Sequence, residues 1–452
     1  MHRDWRGNTV TVGAAATVEG IDAFVEGFLA YETRAAQVIG AADADPASAL
    51  ANAYAAMACL FLESPEGAAR ARPYLARAEA AAPHATERER LTVAAARAWA
   101  DGDIPRVLAL GEDAAQRFPR DLAIAKIAQY HCFNLGDAPG MLRIASRVLP
   151  ANDDLAYAHG MIAFAYEQCH LLADAERAAH AAIRRKRKEP WAHHALAHVL
   201  LTQGRHDEGR AFLEEMKETW TDLNSFMLTH NWWHLSLVMI EQGEAPRVLD
   251  HYATYIWGVW KEYSQDQIGA VSLLARLELA GMDVGDRWQD LAEYLRPRVH
   301  EHTQPFLDLH YLYGLARAGR HEADAMLASL RDFAETAPGF VRPAWRDVAL
   351  PACEGLLAHA RGDHAGCVRA LLPVLPRLAE IGGSHAQRDL FEQIADDALI
   401  RAGRLAAAQN RLEQRRAGNP HSVPTRTRLA AVYGALGLPE QAARVTAGAA
   451  AD

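Results

Sequence analysis

Glycine turns recur along this chain at the interval of one helix pair, and that interval restricts the fold more than any other feature. Gly102 and Gly136 are 34 residues apart, and Gly204 lies 68 further on. The position between, His170, opens a similar turn, His170-Leu-Leu-Ala-Asp, without a glycine. Gly243, Gly281, Gly319, Gly362, Gly403 and Gly437 continue the series at spacings from 34 to 43 residues. A glycine just past an apolar-periodic segment supplies the left-handed conformation that ends a helix. Each unit therefore reads as helix, turn, helix, and Pro119 and Pro420 each fall 17 residues after their glycine to close one. The runs 154–171, 174–184, 189–203 and 207–219 show this most clearly. Such pairs cannot bury their apolar stripes alone, so they stack on one another. The fold class expected is all-α. One continuous repeat domain over residues 1–452 is expected, beginning with a non-repeat segment over about residues 1–17. The alternating stretch Thr9-Val-Thr-Val12 is too short to found a sheet.

The period and the two-helix unit resemble tetratricopeptide arrays. That resemblance implies a right-handed superhelical solenoid in which the helix before each glycine turn lines the inner, concave surface.

Composition excludes several classes. The longest apolar stretch falls short of a membrane span, and the polar start Met1-His-Arg-Asp-Trp-Arg-Gly lacks the features of a secretory signal. The five cysteines are odd in number, scattered and without a Cys-x-x-Cys, which fits a reducing, cytoplasmic setting and argues against a thiolate zinc site. A formal charge of −10 disfavours a nucleic-acid partner. The basic run Arg184-Arg-Lys-Arg-Lys188 reads as the last turn of a helix, where cations suit the carbonyl end. No Walker loop, dinucleotide fingerprint or Gly-x-Ser-x-Gly occurs.

Polar, ionisable chemistry concentrates in one region. His194 and His198 form one i, i+4 pair and His230 and His234 another, which places each pair on one helix face. His194 and His198 precede Gly204 by ten and six residues, His230 and His234 precede Gly243 by 13 and nine, His310 precedes Gly319 by nine and Arg276 precedes Gly281 by five. All fall on helices that precede glycine turns, at similar heights, so they are expected to converge on one pocket. Seven of the ten tryptophans fall between Trp191 and Trp288, and Trp191 and Trp233 are the expected walls. For any one of these histidines the bland alternative is a hydrogen-bonded core residue; the functional reading rests on the coincidence of two pairs.

Imidazoles at i, i+4 are also half of a zinc site. Ala195 and Asn231 stand where a His-Glu-x-x-His motif has its general base, and Asp266 or Asp308 would have to complete the ligand set. No metal or other cofactor is expected, with histidine-bound zinc as the alternative left open. A second cluster, Gly382-Gly-Ser-His-Ala-Gln-Arg-Asp389, contains the capping box Ser384 and Gln387, so a helix should begin at His385. Arg388 and the amides after Gly-Gly are candidates to hold a carboxylate or phosphate, and Asp389 is placed to orient the His385 ring.

The ordered motifs Trp191-x-His-His-x-x-Ala-His198, His230-Asn-x-Trp-His234, Ser272-x-Leu-x-Arg276-Leu, Asp308-x-His310, Arg346-Asp-Val and Gly382-Gly-Ser-x-Ala-Gln-Arg-Asp389, with the opening Asp4-Trp5-Arg6, resemble the tetratricopeptide repeat protein 38 family. The resemblance spans nearly the whole chain. It implies an all-helical repeat fold and singles out His194, His198, His230, His234, Arg276, His310, Gln387, Arg388 and Asp389. It supplies no reaction. The family often has Asn at the place of His385.

Two functional classes follow. In the first, a His- and Trp-lined pocket binds a small polar or anionic molecule. If it turns that molecule over, it does so by cofactor-independent histidine acid–base chemistry, as an isomerase, cyclase, lyase or hydrolase. Here His194, His198, His230, His234, His310 and Asp389 do the chemistry, and Trp191, Trp233, Arg276, His385, Gln387 and Arg388 bind. In the second, the array is a non-catalytic scaffold that holds a peptide or protein partner in its groove.

Overall fold

The computed structural model describes residues 2–447. The described chain is an all-α helical repeat; its strands are His2–Arg3 and Thr9–Val10, a two-residue antiparallel pair at the start. Among the described residues no helix is long and apolar enough to cross a membrane. By contacts the chain divides into two compact units, one of residues 1–196 and 219–227, the other of 197–218 and 228–452.

In the first unit, helix pairs follow one another as the turn spacing predicts: Ala49–Leu60 with Pro65–Ala81, Glu87–Ala100 with Ile104–Arg117, Leu122–Asn134 with Ala138–Val148, and Ala156–Gln168 with Leu172–Arg185. The glycineless turn adopts the geometry its position demands: His170 has φ +57°, like Gly136 at +71°. The last pair ends at Arg184 and Arg185, so the start of the basic run is a helix terminus, and Lys188 pairs with Glu32 at 3.2 Å. The opening Asp4-Trp5-Arg6 ties the short hairpin to this unit. Arg6 donates to Asp154 at 2.9 Å and Asn152 at 3.0 Å, and Asp4 lies 3.6 Å from Arg88.

Small residues let neighbouring helices approach. A Cβ built on Gly111 would sit 2.5 Å from the Cβ of Ala128, and neither atom belongs to a flexible side chain. Gly111→Ala should therefore destabilise by about 1–3 kcal/mol, overpacking outweighing the roughly 1 kcal/mol gained in helix propensity. Urea denaturation reads the sign; a stabilised variant would show that the two helices separate freely.

The second unit continues the alternation with Ser264–Leu279, Pro305–Arg317, Leu350–Ala360, His385–Arg401 and Val423–Ala435, each ahead of a glycine turn and followed by a partner helix or short helical turn. The end of the array is held by Leu399, Leu412, Leu429, Val432 and Tyr433, drawn from three successive helices. The capping box is present as expected: Ser384 accepts from the Gln387 amide, Gln387 accepts from the Ser384 amide, and the helix begins at His385.

Candidate functional site

The second unit brings His198, His230 and His234 together. One ring nitrogen from each lies within 4.8 Å of the others. The His198 and His234 rings are 4.5 Å apart, and His230 and His234 meet edge to face at 4.8 Å. All three are buried. Burial, reinforced by His198, pushes His230 down to about 3, so it is neutral at physiological pH. His194 sits one turn before His198 on the helix Pro190–Thr202 and stacks on Trp191 at 4.5 Å. Trp191 in turn packs on Phe164 and Tyr31, within the first unit.

From the trio a chain of contacts reaches the second sequence cluster. His230 stacks on Trp233 at 5.2 Å, and the Arg276 guanidinium lies over Trp233 at 5.5 Å. Arg276 donates to Ser272 Oγ at 2.7 Å and to the Ala386 carbonyl, 110 residues away, at 2.6 Å. It is 2 % exposed, yet among the described residues no carboxylate comes within the 4.0 Å of an ion pair. Asp389 and Glu241 act on it only at longer range, and burial lowers it to about 10, which leaves it charged at neutral pH. A guanidinium offers five N–H donors, so most of its capacity is uncommitted to protein acceptors.

His310 stands on the neighbouring helix, against Phe306 at 4.6 Å and Phe391 at 5.2 Å. Its Nδ1 donates to the Phe306 carbonyl at 2.9 Å, which fixes the tautomer and leaves Nε2 as an acceptor. Burial, assisted by Arg276, pushes it down to about 4. The folded protein therefore binds fewer protons here than the unfolded chain between pH 6.5 and about 4. Stability from this site is complete above pH 6.5 and is lost as pH falls through that window, at up to about 1.4 kcal/mol per pH unit. The stability difference between wild type and His310→Gln, measured by urea titration across pH 4–7, should change with that slope. A pH-independent difference would show that the ring is hydrated.

Several assignments change. Asp389 does not orient His385: one of its oxygens accepts from Gln393 at 2.7 Å and the other from Arg415 at 2.7 Å. Burial raises the carboxyl, but Arg415, with Arg276 at longer range, outweighs it and holds the group down at about 2. Arg388 donates to the Gly382 and Gly383 carbonyls and to Nδ1 of His385 at 3.3 Å, so part of its fork caps its own loop. The Ser384 amide and Gln387 satisfy each other in the capping box. Asp266 accepts from Thr229 and the Trp260 amide, Asp308 pairs with His302 through Oδ2 at 2.6 Å, and neither carboxylate joins the group of ligand atoms that the histidines form. Three of the seven tryptophans in that span pack on other partners: Trp232 stacks on Tyr255 at 3.7 Å, Trp257 donates to Asp290 at 2.5 Å, and Trp260 stacks on Tyr263. Trp233 alone of the two expected walls belongs to the unit that holds the trio.

Two groupings escaped the sequence reading. In the first unit, Lys126 is enclosed by Tyr31 at 3.8 Å, Phe28 and Trp191, and feels the buried carboxyl of Glu189; burial drives both toward their neutral forms. In the second, His359, His364 and Asp397 gather beside Tyr313. Tyr313 and Asp397 each stand six residues before their turn glycines, a shared repeat position that the sequence carries but that signals chemistry only once the repeats are aligned in space.

No family model matches the chain. Solved structures similar to it include the Naa15/Naa10 complex bound to HypK-THB, at 13% identity and a TM-score of 0.25 over 80% of this chain and 63% of that one. The human IFIT1 dimer with m7Gppp-AAAA aligns at 12% identity and a TM-score of 0.37 over 98% of this chain and 92% of that one. The TPR domain of P58(IPK) aligns at 13% identity and a TM-score of 0.22 over 81% of this chain and 100% of that one. This chain thus spans under two thirds of the Naa15/Naa10 chain it matches. At such TM-scores the architecture rests on the helix pairs of this chain itself.

Proposed function

We propose that the second unit of this tetratricopeptide-like array binds a small anionic molecule against Arg276. His310 and His230 act there as neutral hydrogen-bonding and proton-transfer groups, with His198 and His234 beside them as further hydrogen-bonding rings. One observation carries the reading: a charged guanidinium, 2 % exposed, with no carboxylate in ion-pair contact among the described residues. Buried charges persist in proteins when paired, and the missing counter-charge here is assigned to a ligand. A carboxylate or phosphate suits the planar fork. If the ligand is turned over, Nε2 of His310 is the candidate proton acceptor, since its tautomer is fixed and its ring is neutral, although burial makes it a weak base.

Membership of the tetratricopeptide repeat protein 38 family belongs to the same proposal. Its support is that motifs far apart in sequence meet here, Ser272 and Arg276 with Ala386 of the Gly382–Asp389 motif.

A scaffold role is the second reading, and a different surface favours it. Tyr255, Val259 and Trp260, near one another in sequence, are 37 %, 45 % and 44 % exposed, large apolar side chains of the kind a protein partner covers. Calorimetric titration of the purified chain with inorganic phosphate and with succinate separates the two. Saturable binding that Arg276→Met removes supports the anion site. Absence of binding, or binding that survives the substitution, leaves the scaffold.

A further inference from the structure

We propose that His359, His364 and Asp397 form a site for a divalent transition metal of the zinc class, with open coordination positions facing a cavity. The three come from consecutive repeats. His359 is buried near the end of the helix Leu350–Ala360, His364 opens the next helix just past the Gly362 turn, and Asp397 lies on His385–Arg401 one period later. One donor atom from each lies within 4.8 Å of the others, and the two imidazoles meet edge to face with centroids 5.6 Å apart. A tetrahedral ion with arms of about 2.0–2.1 Å holds its ligand atoms about 3.4 Å apart, inside the 4.8 Å within which these donors lie.

Two donors in this set are uncommitted. Nδ1 of His364 is buried and makes no hydrogen bond with any described residue. Asp397 accepts through Oδ2 alone, from Nε2 of His359 at 3.0 Å and from Nε of Arg401 at 2.8 Å, so among the described residues Oδ1 receives no hydrogen bond. The third donor has a built support. The Tyr313 hydroxyl lies 3.1 Å from Nδ1 of His359. When a cation takes Nε2, the ring proton moves to Nδ1 and the tyrosine oxygen accepts it, the outer-sphere arrangement by which metal-bound histidines are held.

Two nitrogens and one carboxylate suit zinc, cobalt or nickel, whereas calcium and magnesium call for oxygen ligands. Three protein ligands leave a fourth position free, and it opens toward a cavity of about 270 Å³ lined by these residues together with Tyr313, Arg317 and Arg401. Those arginines would favour water, hydroxide or an anion in that position. This site is independent of the Arg276 reading.

The test uses the full-length chain stripped with a chelator and titrated with CoCl₂, read by visible d–d absorption, and with ZnCl₂, read by calorimetry. Wild type should take up one cobalt with a visible band. His364→Ala and Asp397→Asn should each weaken uptake by at least about tenfold. His364→Ala removes a half-buried ring, so its metal-free thermal midpoint should match wild type and show that the loss is not unfolding. His234→Ala and Arg276→Met should keep the band. Wild type without the band, a band insensitive to His364→Ala and Asp397→Asn, or a band abolished by His234→Ala each overturns the proposal.

Discussion

Replacing Arg276 by methionine should leave the protein folded, with a thermal midpoint equal to or above wild type, while weakening binding of a small anion by at least about tenfold. The two halves of this result have different causes. In the folded protein the guanidinium is buried without a carboxylate in contact. Replacing whole buried ion pairs by apolar side chains of similar volume is often neutral or stabilising by about 1–4 kcal/mol, and a cation with no carboxylate in contact has no pair attraction to lose. Against this stands the loss of two hydrogen bonds, to Ser272 Oγ and the Ala386 carbonyl, each worth about 1 kcal/mol or somewhat more. The anion loses a charge-assisted bidentate partner, worth about 1.5–3 kcal/mol per hydrogen bond to a charged group, hence the tenfold floor. Arg276→Lys keeps the charge but not the fork and should fall between. Differential scanning calorimetry with and without phosphate reads both halves. A strongly destabilised Arg276→Met would mark this arginine as structural.

Arg88→Met should do the opposite and cost about 3–5 kcal/mol. Here the guanidinium has its counter-charges within the first unit. It donates to Asp121 at 2.6 Å and to the Thr9 carbonyl at 3.2 Å and lies 3.6 Å from Asp4, with all three charged groups buried. Asp121 also caps the helix Leu122–Asn134, and Asp4 accepts from the amides of Arg6 and Asn8 in the N-terminal hairpin. Removing the cation strands two carboxylates away from water. Urea denaturation followed by far-UV circular dichroism should show the loss, and a change under about 1 kcal/mol would show that solvent reaches this network. The two arginines thus separate on one criterion, the presence or absence of a protein counter-charge.

The repeat was legible because its signal is local. A helix end needs a left-handed residue, and Gly102, Gly136, Gly204, Gly243, Gly281, Gly319, Gly362, Gly403 and Gly437 all take positive φ, as does His170 where glycine is missing. The histidine pairs were legible for the same reason, since i, i+4 spacing fixes a shared face. What the spacing leaves open is the partner across the interface. Asp389 lies one turn from His385, but its charge is satisfied by Arg415, 26 residues on and on another helix. Arg276 is tied to Ala386 across 110 residues, and the Tyr313, His359 and Asp397 contacts each cross repeat boundaries. Tryptophan density was a poor guide for a related reason. A large amphipathic ring finds packing on any face of a helix, and Trp232, Trp257 and Trp260 pack away from the trio.

Native mass spectrometry of the intact chain, purified without denaturant and compared with Arg276→Met, tests the anion site most directly. A small-molecule adduct retained by wild type and absent from the variant, and replaceable by added phosphate or succinate, is the expected result. An adduct of equal occupancy in both proteins, or bare wild-type chain that takes up neither anion, would contradict it.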